Sequence, residues 1–194
     1  MIRPAIVLGL LVGLAGIAYA HGDDKDKDHA SDERASKSSA PKSDANPKSA
    51  KPLTANEIQV MNSLHAANQT EVAAGKLAEK NTTTASVLRY GRMLVKDHTA
   101  ADRKLSSLAA KRALTLSSAP PTDLSAISGK QGADFDSAFA AMMVKDHGDA
   151  IALVERGIQT CEDRDLHAML EQLLPALRRH QSEAMKLQQQ ARAQ

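Results

Sequence analysis

Residues 134–151 read DFDSAFAAMMVKDHGDAI, and apolar residues recur in this stretch at the three- and four-residue steps of an amphipathic helix. The pattern predicts a helix that begins at Asp134, as N-cap, and ends near Gln159. Its core-facing positions are Phe139, Met143, His147, Ile151, Val154 and Ile158. A histidine therefore occupies one step of an otherwise apolar stripe, and its presence there calls for a physical reason.

Part of this stretch has a near copy earlier in the chain. MMVKDH at residues 142–147 follows MLVKDH at residues 93–98, and each copy falls on a predicted helix beside a long connection. The repeat indicates either duplication of a helical hairpin or similar packing demands on two equivalent helices. Phe135 and Phe139 have no counterparts before His98, so similar packing is the simpler interpretation.

Three further helices are predicted, two before this stretch and one after it. Thr54-Ala55-Asn56-Glu57 is a capping box that predicts a helix to about Lys80, and the next helix follows residues 81–84 and ends near Arg112. The fourth helix is predicted from Glu162 to about Gln190, with a kink at Pro175. Short breaks predict antiparallel neighbours.

The connection between the two hairpins is long. Residues 114–133 contain two prolines and two glycines, with a short helix predicted near residues 123–128. Two hairpins joined by a long crossover are typical of the ferritin-like bundle. The predicted fold class is therefore all-α, a ferritin-like antiparallel four-helix bundle.

The chain divides into three predicted segments. Residues 1–20 have the charged start, short apolar run and Ala-Tyr-Ala end of a cleaved signal peptide, with an uncleaved anchor as the alternative. Residues 21–52 form a polar linker whose composition predicts disorder, and residues 53–192 form the bundle. This arrangement predicts a periplasmic protein, and no later stretch is apolar enough to be an integral membrane segment.

Composition excludes several classes of function. Lys and Arg number 25 and Asp and Glu number 23, so the charges nearly balance, and aromatic residues make up only 2% of the chain. Without a basic surface or aromatic stacking groups, nucleic acid is not an expected partner. Cys161 is the single cysteine, so no internal disulfide can form. The sequence also lacks the motifs of hydrolases and nucleotide-binding enzymes.

Four ligand-capable residues occupy core-facing steps, one on each long helix. They are Glu71, His98, His147 and His180. Buried polar groups need partners, so the four are predicted to meet, either around a metal ion or as a hydrogen-bonded network with water. Counting residues from the predicted turns leaves the members of each hairpin about one helical turn apart in depth.

The chain also resembles a known family, the bacterial ferritin-like domain of unknown function 4142, which is often labelled a predicted outer-membrane protein. The resemblance covers about residues 54–190 and rests on TEVAAGKLA (70–78), VLRYGRMLVKDH (87–98), DFDSAFAAMMVKDHGDAI (134–151) and LLPALRRHQSEA (173–184). It implies a helical bundle in an exported protein and places the family's recurrent positions on Glu71, His98, Phe135-Asp136 with His147, and Pro175 with His180. It implies no established activity.

The donor set differs from that of di-iron bundles. Those carry a Glu-x-x-His motif on two helices, whereas Val95 and Val144 stand three residues before His98 and His147. Three histidines and one carboxylate suit a single Zn, Cu or Fe ion. Asp97 and Asp146 are expected to be outer partners of the histidines rather than ligands. His65 is expected to be an edge histidine, with a fifth ligand as the alternative, and His167 is expected to face solvent. Methionines at helical core spacing are expected to fill the core, with Cu(I) ligation as the alternative: Met93, Met142, Met143 and Met169.

Three functions remain open from the sequence. The first is an exported, non-enzymatic protein that binds a transition metal in its core for metal handling or envelope stress. The second is a structural or interaction module of the cell envelope, in which the four polar residues form a metal-free network and the linker lets the bundle reach an envelope protein partner. The third is a redox enzyme that uses the same site.

Overall fold

The computed structural model describes residues 51–117 and 123–193. The helices are α1 (Ala55–Asn81), α2 (Ala85–Lys111), a short α3 (Ser125–Ser128), α4 (Gly132–Thr160) and α5 (Arg164–Arg192). The predicted signal peptide, and nearly all of the predicted linker, lie outside these residues. None of the helices in the described ranges combines the length and apolar content needed to cross a membrane.

Helix starts follow local capping chemistry. The predicted capping box of α1 is confirmed: Thr54 Oγ1 accepts from the Glu57 N–H at 3.2 Å, and Glu57 Oε2 accepts from the Thr54 N–H at 2.7 Å. The prediction of Asp134 as the N-cap of α4 is wrong, because α4 begins at Gly132 and Asp134 lies in its first turn. Helix α5 begins two residues later than predicted, since the Asp163 side chain caps it by accepting from the Leu166 N–H at 2.9 Å.

The four long helices form an antiparallel bundle of two hairpins, as predicted. Helix α1 packs against α2 and α4, and α5 packs against α4 and α2. The crossover between α2 and α4 runs from one end of the bundle to the other: Leu114 packs with the core near the α2 end, whereas Ile127 of α3 packs with the core near the α4 start. Helix α5 continues as one helix through Pro175.

The core has two apolar clusters, one at each end of the bundle. One includes Tyr90, Leu94, Phe135, Phe139 and Met143, and the other includes Met61, Leu105, Val154, Leu166 and Leu170. On every long helix the residues of the two clusters lie on opposite sides of one buried polar residue. We call these four residues, Glu71, His98, His147 and His180, the polar layer.

Small residues bring α1 and α2 close together beside the polar layer. A Cβ atom on Gly75 would lie 2.6 Å from the Gly91 carbonyl oxygen, and a Cβ on Gly91 would lie 2.6 Å from the Cβ of Ala78. Such distances are far inside van der Waals contact, so only glycine permits this helix separation. The close approach holds Glu71, one turn before Gly75, against α2.

A second contact fixes the end of the bundle where the chain turns from α4 to α5. Besides its capping-box bonds, Glu57 accepts through Oε1 from the N–H groups of Glu162 and Asp163, each at 2.8 Å. The Cys161 thiol donates to the same oxygen at 3.4 Å. Burial opposes the charge on Glu57, but these bonds and those from Thr54 outweigh it and lower its pKa to about 2.

Candidate metal centre

The polar layer is closed to solvent. Glu71 and His180 are each 2% exposed, His98 is 5% exposed and His147 is fully buried. The structure therefore brings together all four residues that the sequence placed on core-facing steps, one from each of α1, α2, α4 and α5. The three imidazole rings lie close to one another, with ring centroids 5.4 to 5.6 Å apart.

One atom of each residue in the polar layer faces the others. Glu71 Oε2 lies 2.6 Å from His98 Nε2 and 3.3 Å from His147 Nε2. The three histidines each offer a nitrogen, and these atoms all lie within 4.8 Å of one another. Glu71 Oε2, His98 Nε2, His147 Nε2 and His180 Nδ1 are fully buried, and none has the aligned geometry of a hydrogen bond to any described residue. We call these four the inward atoms.

The opposite nitrogen of each ring is held by a hydrogen-bond acceptor. His98 Nδ1 lies 2.9 Å from Asn68 Oδ1, and His147 Nδ1 lies 3.0 Å from the Met143 carbonyl oxygen. His180 Nε2 lies 3.1 Å from Asp97 Oδ2.

These acceptors set the tautomer of each ring. A carbonyl, an amide oxygen and a carboxylate can only accept, so each of these outer nitrogens carries the proton and donates it. The inward nitrogen of a neutral ring therefore presents a lone pair to the centre of the polar layer.

Burial and neighbouring charge set the protonation of the polar layer. Burial lowers the pKa of His147, and burial together with the charges of His98 and His147 lowers the pKa of His180 to about 4. Burial alone would raise the pKa of Glu71, but the contact with His98 and the nearby imidazoles lower it. At neutral pH these effects favour an ionised Glu71 carboxylate beside neutral His147 and His180, which is the protonation state of metal ligands.

The depth mismatch expected from sequence is smaller in the structure. His98 is three residues farther than Glu71 from the turn between α1 and α2, and His180 is three residues farther than His147 from the turn between α4 and α5. The expected mismatch was larger because the predicted helix ends were one or two residues in error. Side-chain reach covers the remaining difference of about 4.5 Å.

Most of the weaker ligand candidates lie elsewhere. Both ring nitrogens of His65 have protein partners, Asp102 at 2.7 Å and Gln69 at 2.9 Å, so it is not a fifth ligand in this arrangement. His167 is 37% exposed and lies 3.6 Å from Glu171. Met143 is buried in the apolar core, and its backbone oxygen lies 3.0 Å from His147 Nδ1.

Asp97 and Asp146, which directly precede His98 and His147 in the chain, differ in their surroundings. Asp97 holds the outer nitrogen of His180, as the outer-partner interpretation predicted. Asp146 is half-buried, and its pKa is raised by burial and by the charge of Glu71.

Two contributors to the site were missed from sequence. Asn68 holds His98 from a position one turn before Glu71 on α1, and a buried amide at that spacing was the only available signal. Tyr90 lies two turns before His98 on α2, and its hydroxyl donates to the His180 carbonyl oxygen at 3.1 Å. Both residues tie one helix of the polar layer to another.

Solved structures with the same fold include one described as secreted and one described as copper-bound. One is described as "putative secreted protein DUF305" from Streptomyces coelicolor, with a TM-score of 0.63, 11% identity, and coverage of 70% of this chain and 92% of that one. Another is a "putative spore coat protein" from Bacillus halodurans, with a TM-score of 0.61, 15% identity, and coverage of 72% and 90%. A third is CopM in its Cu(II)-bound form, with a TM-score of 0.61, 12% identity, and coverage of 69% and 97%.

Comparison by sequence gives the family. No curated protein matches the chain. Residues 42–187, which include α1, α2, α4 and most of α5, match the family described as Domain of unknown function (DUF4142). At 11 to 15% identity, these solved structures share the fold with this chain. The sequence match spans well over half of the chain, which therefore belongs to the DUF4142 family.

Proposed function

We propose that this chain is an exported protein that binds one transition-metal ion through the polar layer and acts in metal handling in the cell envelope. Periplasmic location is part of the proposal. It is supported by the predicted signal peptide and by the description of a protein of the same fold as secreted. A role in envelope stress belongs to the same proposal, whereas the envelope protein partner expected from sequence belongs to the alternative, a structural or interaction module.

The observation that carries the proposal is the meeting of four buried electron-pair donors. Three imidazole lone pairs and one carboxylate oxygen face one another in the bundle interior, without hydrogen-bond donors aligned between them in the described part of the chain. Lone pairs and carboxylate oxygens that face one another in a medium of low polarity repel unless a cation lies between them. A metal ion would satisfy all four inward atoms at once.

The distances fit a small, four-coordinate ion with modest adjustment. Ligand bonds of about 2.0 to 2.1 Å in a tetrahedron separate neighbouring ligand atoms by about 3.3 Å. Glu71 Oε2 and His147 Nε2 already have that separation, at 3.3 Å. Binding would move Glu71 Oε2 away from His98 Nε2, from 2.6 Å, and would draw the histidine nitrogens together from separations of up to 4.8 Å.

The outer partners support the same proposal. Histidine ligands usually donate their second ring N–H to a carboxylate, an amide or a backbone oxygen, which fixes the tautomer and orients the ring. Asp97, Asn68 and the Met143 carbonyl supply these three kinds of acceptor here. Three nitrogens and one carboxylate oxygen suit Zn, Cu or Fe, and the Cu(II)-bound form of CopM makes copper the first ion to test.

A specific contact favours the second candidate, a metal-free network in a structural or interaction module. The 2.6 Å separation of Glu71 Oε2 and His98 Nε2 is that of a charge-assisted hydrogen bond. A protonated His98 could therefore supply the cation that the carboxylate requires. It would leave the inward atoms of His147 and His180 without a donor, which is why the metal is the better proposal.

The test is the metal content of the mature protein, purified without a histidine tag after growth with Zn, Cu and Fe supplied. We expect about one ion per chain in the wild type, and almost none in a variant carrying His98→Ala and His147→Ala. His167→Ala is the matched control, because that histidine is 37% exposed and lies outside the polar layer. Circular dichroism establishes that each variant is helical.

The opposite result would leave the interaction module. If folded wild-type protein carries none of the three metals and takes up none on dialysis, the polar layer is an ion-free network. Metal lost equally from the His167→Ala control would also contradict the proposal, because the ion would then lie on the surface.

A further inference from the structure

A cavity of about 260 Å³ opens between α2 and α5 beside the polar layer. Its walls are mostly apolar and include Leu105, Met169 and Leu177. The ligand residues His98 and His180 both line it. A separate groove between α1 and α2 reaches Asn68 but touches none of the four residues of the polar layer. The α2–α5 cavity therefore leads from the surface to the candidate metal centre.

The cavity lies on the outer side of the His98 and His180 rings, opposite their inward atoms. Asn68 and Asp97, which hold the outer nitrogens of His98 and His180, also line the cavity. The inward atoms themselves are closed to solvent. An ion in the cavity would thus be separated from the inward atoms by two imidazole rings and by the groups that orient those rings. This barrier consists of side chains, which can rotate, and not of backbone.

Among the residues that the structure describes, the two ends of the bundle offer no comparable path. Leu94 and Met143 are fully buried in the apolar cluster on one side of the polar layer, and Leu105, Val154 and Leu170 are at most 2% exposed in the cluster on the other side. Moving a charged ion through either cluster would require its transfer into a tightly packed apolar interior. The side of the bundle between α2 and α5 avoids that transfer.

The volume of the cavity suits a hydrated ion. Each water takes about 30 Å³ of liquid, so an ion with six waters needs about 180 Å³. The cavity of about 260 Å³ exceeds this requirement. A metal ion could therefore reach the histidines before it gives up its water, and exchange water for protein ligands in steps.

The charges along the cavity single out one residue. Asp97 is the only carboxylate among the lining residues, its side chain is 34% exposed, and its Oδ2 lies 3.1 Å from His180 Nε2. Lys104 also lines the cavity but is an exposed residue whose ammonium can extend into water. Oxygen from Asp97 is thus the first anionic ligand that an incoming ion meets, directly beside a histidine of the centre.

We propose that the cavity between α2 and α5 is the passage by which the metal ion reaches and leaves the polar layer, with Asp97 as its first ligand. This proposal rests on the proposed function, since it requires an ion in the polar layer. It assigns the opening to one side of the bundle and predicts that filling the cavity changes the rates of exchange without changing the equilibrium affinity.

The test fills the cavity by substituting two lining residues that are not ligands of the candidate centre. Ala101 on α2 and Ala176 on α5 both line it and are half-buried, and leucine at each position keeps helix propensity and charge nearly unchanged. Ala110→Leu is the matched control, because Ala110 is an exposed residue of α2 outside the cavity. Metal-loaded protein is mixed with excess EDTA, and the ion that remains bound is measured at intervals. Competition with a chelator at equilibrium gives Kd.

The expected result is a change in rate alone. We expect release from the Ala101→Leu, Ala176→Leu double variant to slow about tenfold, with Kd within about twofold of the wild type, so that uptake slows by the same factor. Ala110→Leu should exchange at the wild-type rate. If the double variant does not fold, each single leucine variant is judged by the same criterion, with a smaller expected slowing.

Two outcomes would overturn the proposal, and they are distinguishable. Full metal occupancy with wild-type release rates in the leucine variants would show that the ion moves by another path, while the proposed function would stand. A wild-type protein that binds no ion would end both proposals together.

Discussion

Replacing Glu57 by glutamine tests whether one carboxylate fastens two distant parts of the chain. Its two oxygens accept from Thr54 at the start of α1 and from Glu162 and Asp163 between α4 and α5. Glutamine keeps the shape but replaces one acceptor oxygen with an NH₂ group that faces backbone N–H donors. The substitution should therefore remove the charge and set donor against donor.

The expected loss follows from the shift in the pKa of Glu57. Folding lowers that pKa from 4.5 to about 2, and each unit corresponds to about 1.4 kcal/mol, which gives an upper value of about 3 kcal/mol. Glutamine keeps one of the two acceptor oxygens, so the expected loss is about 2 kcal/mol at neutral pH. A group whose pKa falls on folding stabilises above its unfolded pKa, and this stabilisation is lost as pH falls from 4.5 through about 2.

The assay is urea unfolding of metal-free protein, followed by circular dichroism at several pH values. The free energy of unfolding of Glu57→Gln should be about 2 kcal/mol below that of the wild type at pH 7, and the difference should shrink towards zero as pH approaches 2. Glu79→Gln, at an exposed position of the same helix, should differ from the wild type by less than about 0.5 kcal/mol throughout. A difference at pH 7 no larger than that of Glu79→Gln, or one that does not shrink in acid, would refute the reasoning.

Three further outcomes follow from the packing and the polar layer. Gly75→Ala should lower the free energy of unfolding by about 1 to 3 kcal/mol in urea titrations despite the higher helix propensity of alanine, because its Cβ would lie 2.6 Å from a backbone oxygen of α2; an unchanged or higher stability would contradict the close approach. Asn68→Ala should weaken metal binding about 10- to 100-fold in chelator competition, since His98 loses the acceptor that fixes its tautomer, and wild-type affinity would argue against that role. Asp136→Ala should reduce the free energy of unfolding by about 1 kcal/mol, because a carboxylate near a helix N-terminus stabilises the helix. Asp136 is buried and shares a small cavity with Thr84, the N-terminal residue before α2, whose side chain makes no capping bond. Denaturation midpoints equal to the wild type would show that the start of α2 needs no such anion.

The local chemistry of the helices was readable from the sequence. The capping box at Thr54 and the turn at residues 82–84 act within a few residues, so they predicted the first hairpin without knowledge of the rest of the chain. The helix starts at Gly132 and Arg164 were predicted three and two residues away, because several residues there can serve as caps and neighbouring structure selects among them.

The four residues of the polar layer were also chosen from sequence alone. A charged or imidazole side chain at a core-facing step of an amphipathic helix is conspicuous, and each of the four helices has one. Helical periodicity reports which way a side chain faces. It does not report how far along the bundle axis each helix is placed, which is why the four positions were expected to be about one turn out of level.

The sequence by itself determined the four helices, their pairing into hairpins and the inward direction of Glu71, His98, His147 and His180. The tertiary structure alone decided that their donor atoms meet, that Asn68 and Asp97 fix the rings from behind, and that a cavity reaches them between α2 and α5. The physical reason is the range of the interactions involved. Capping and periodicity act within one helix, whereas the meeting of donors and the opening of a cavity depend on how separate helices shift, approach and leave space between them.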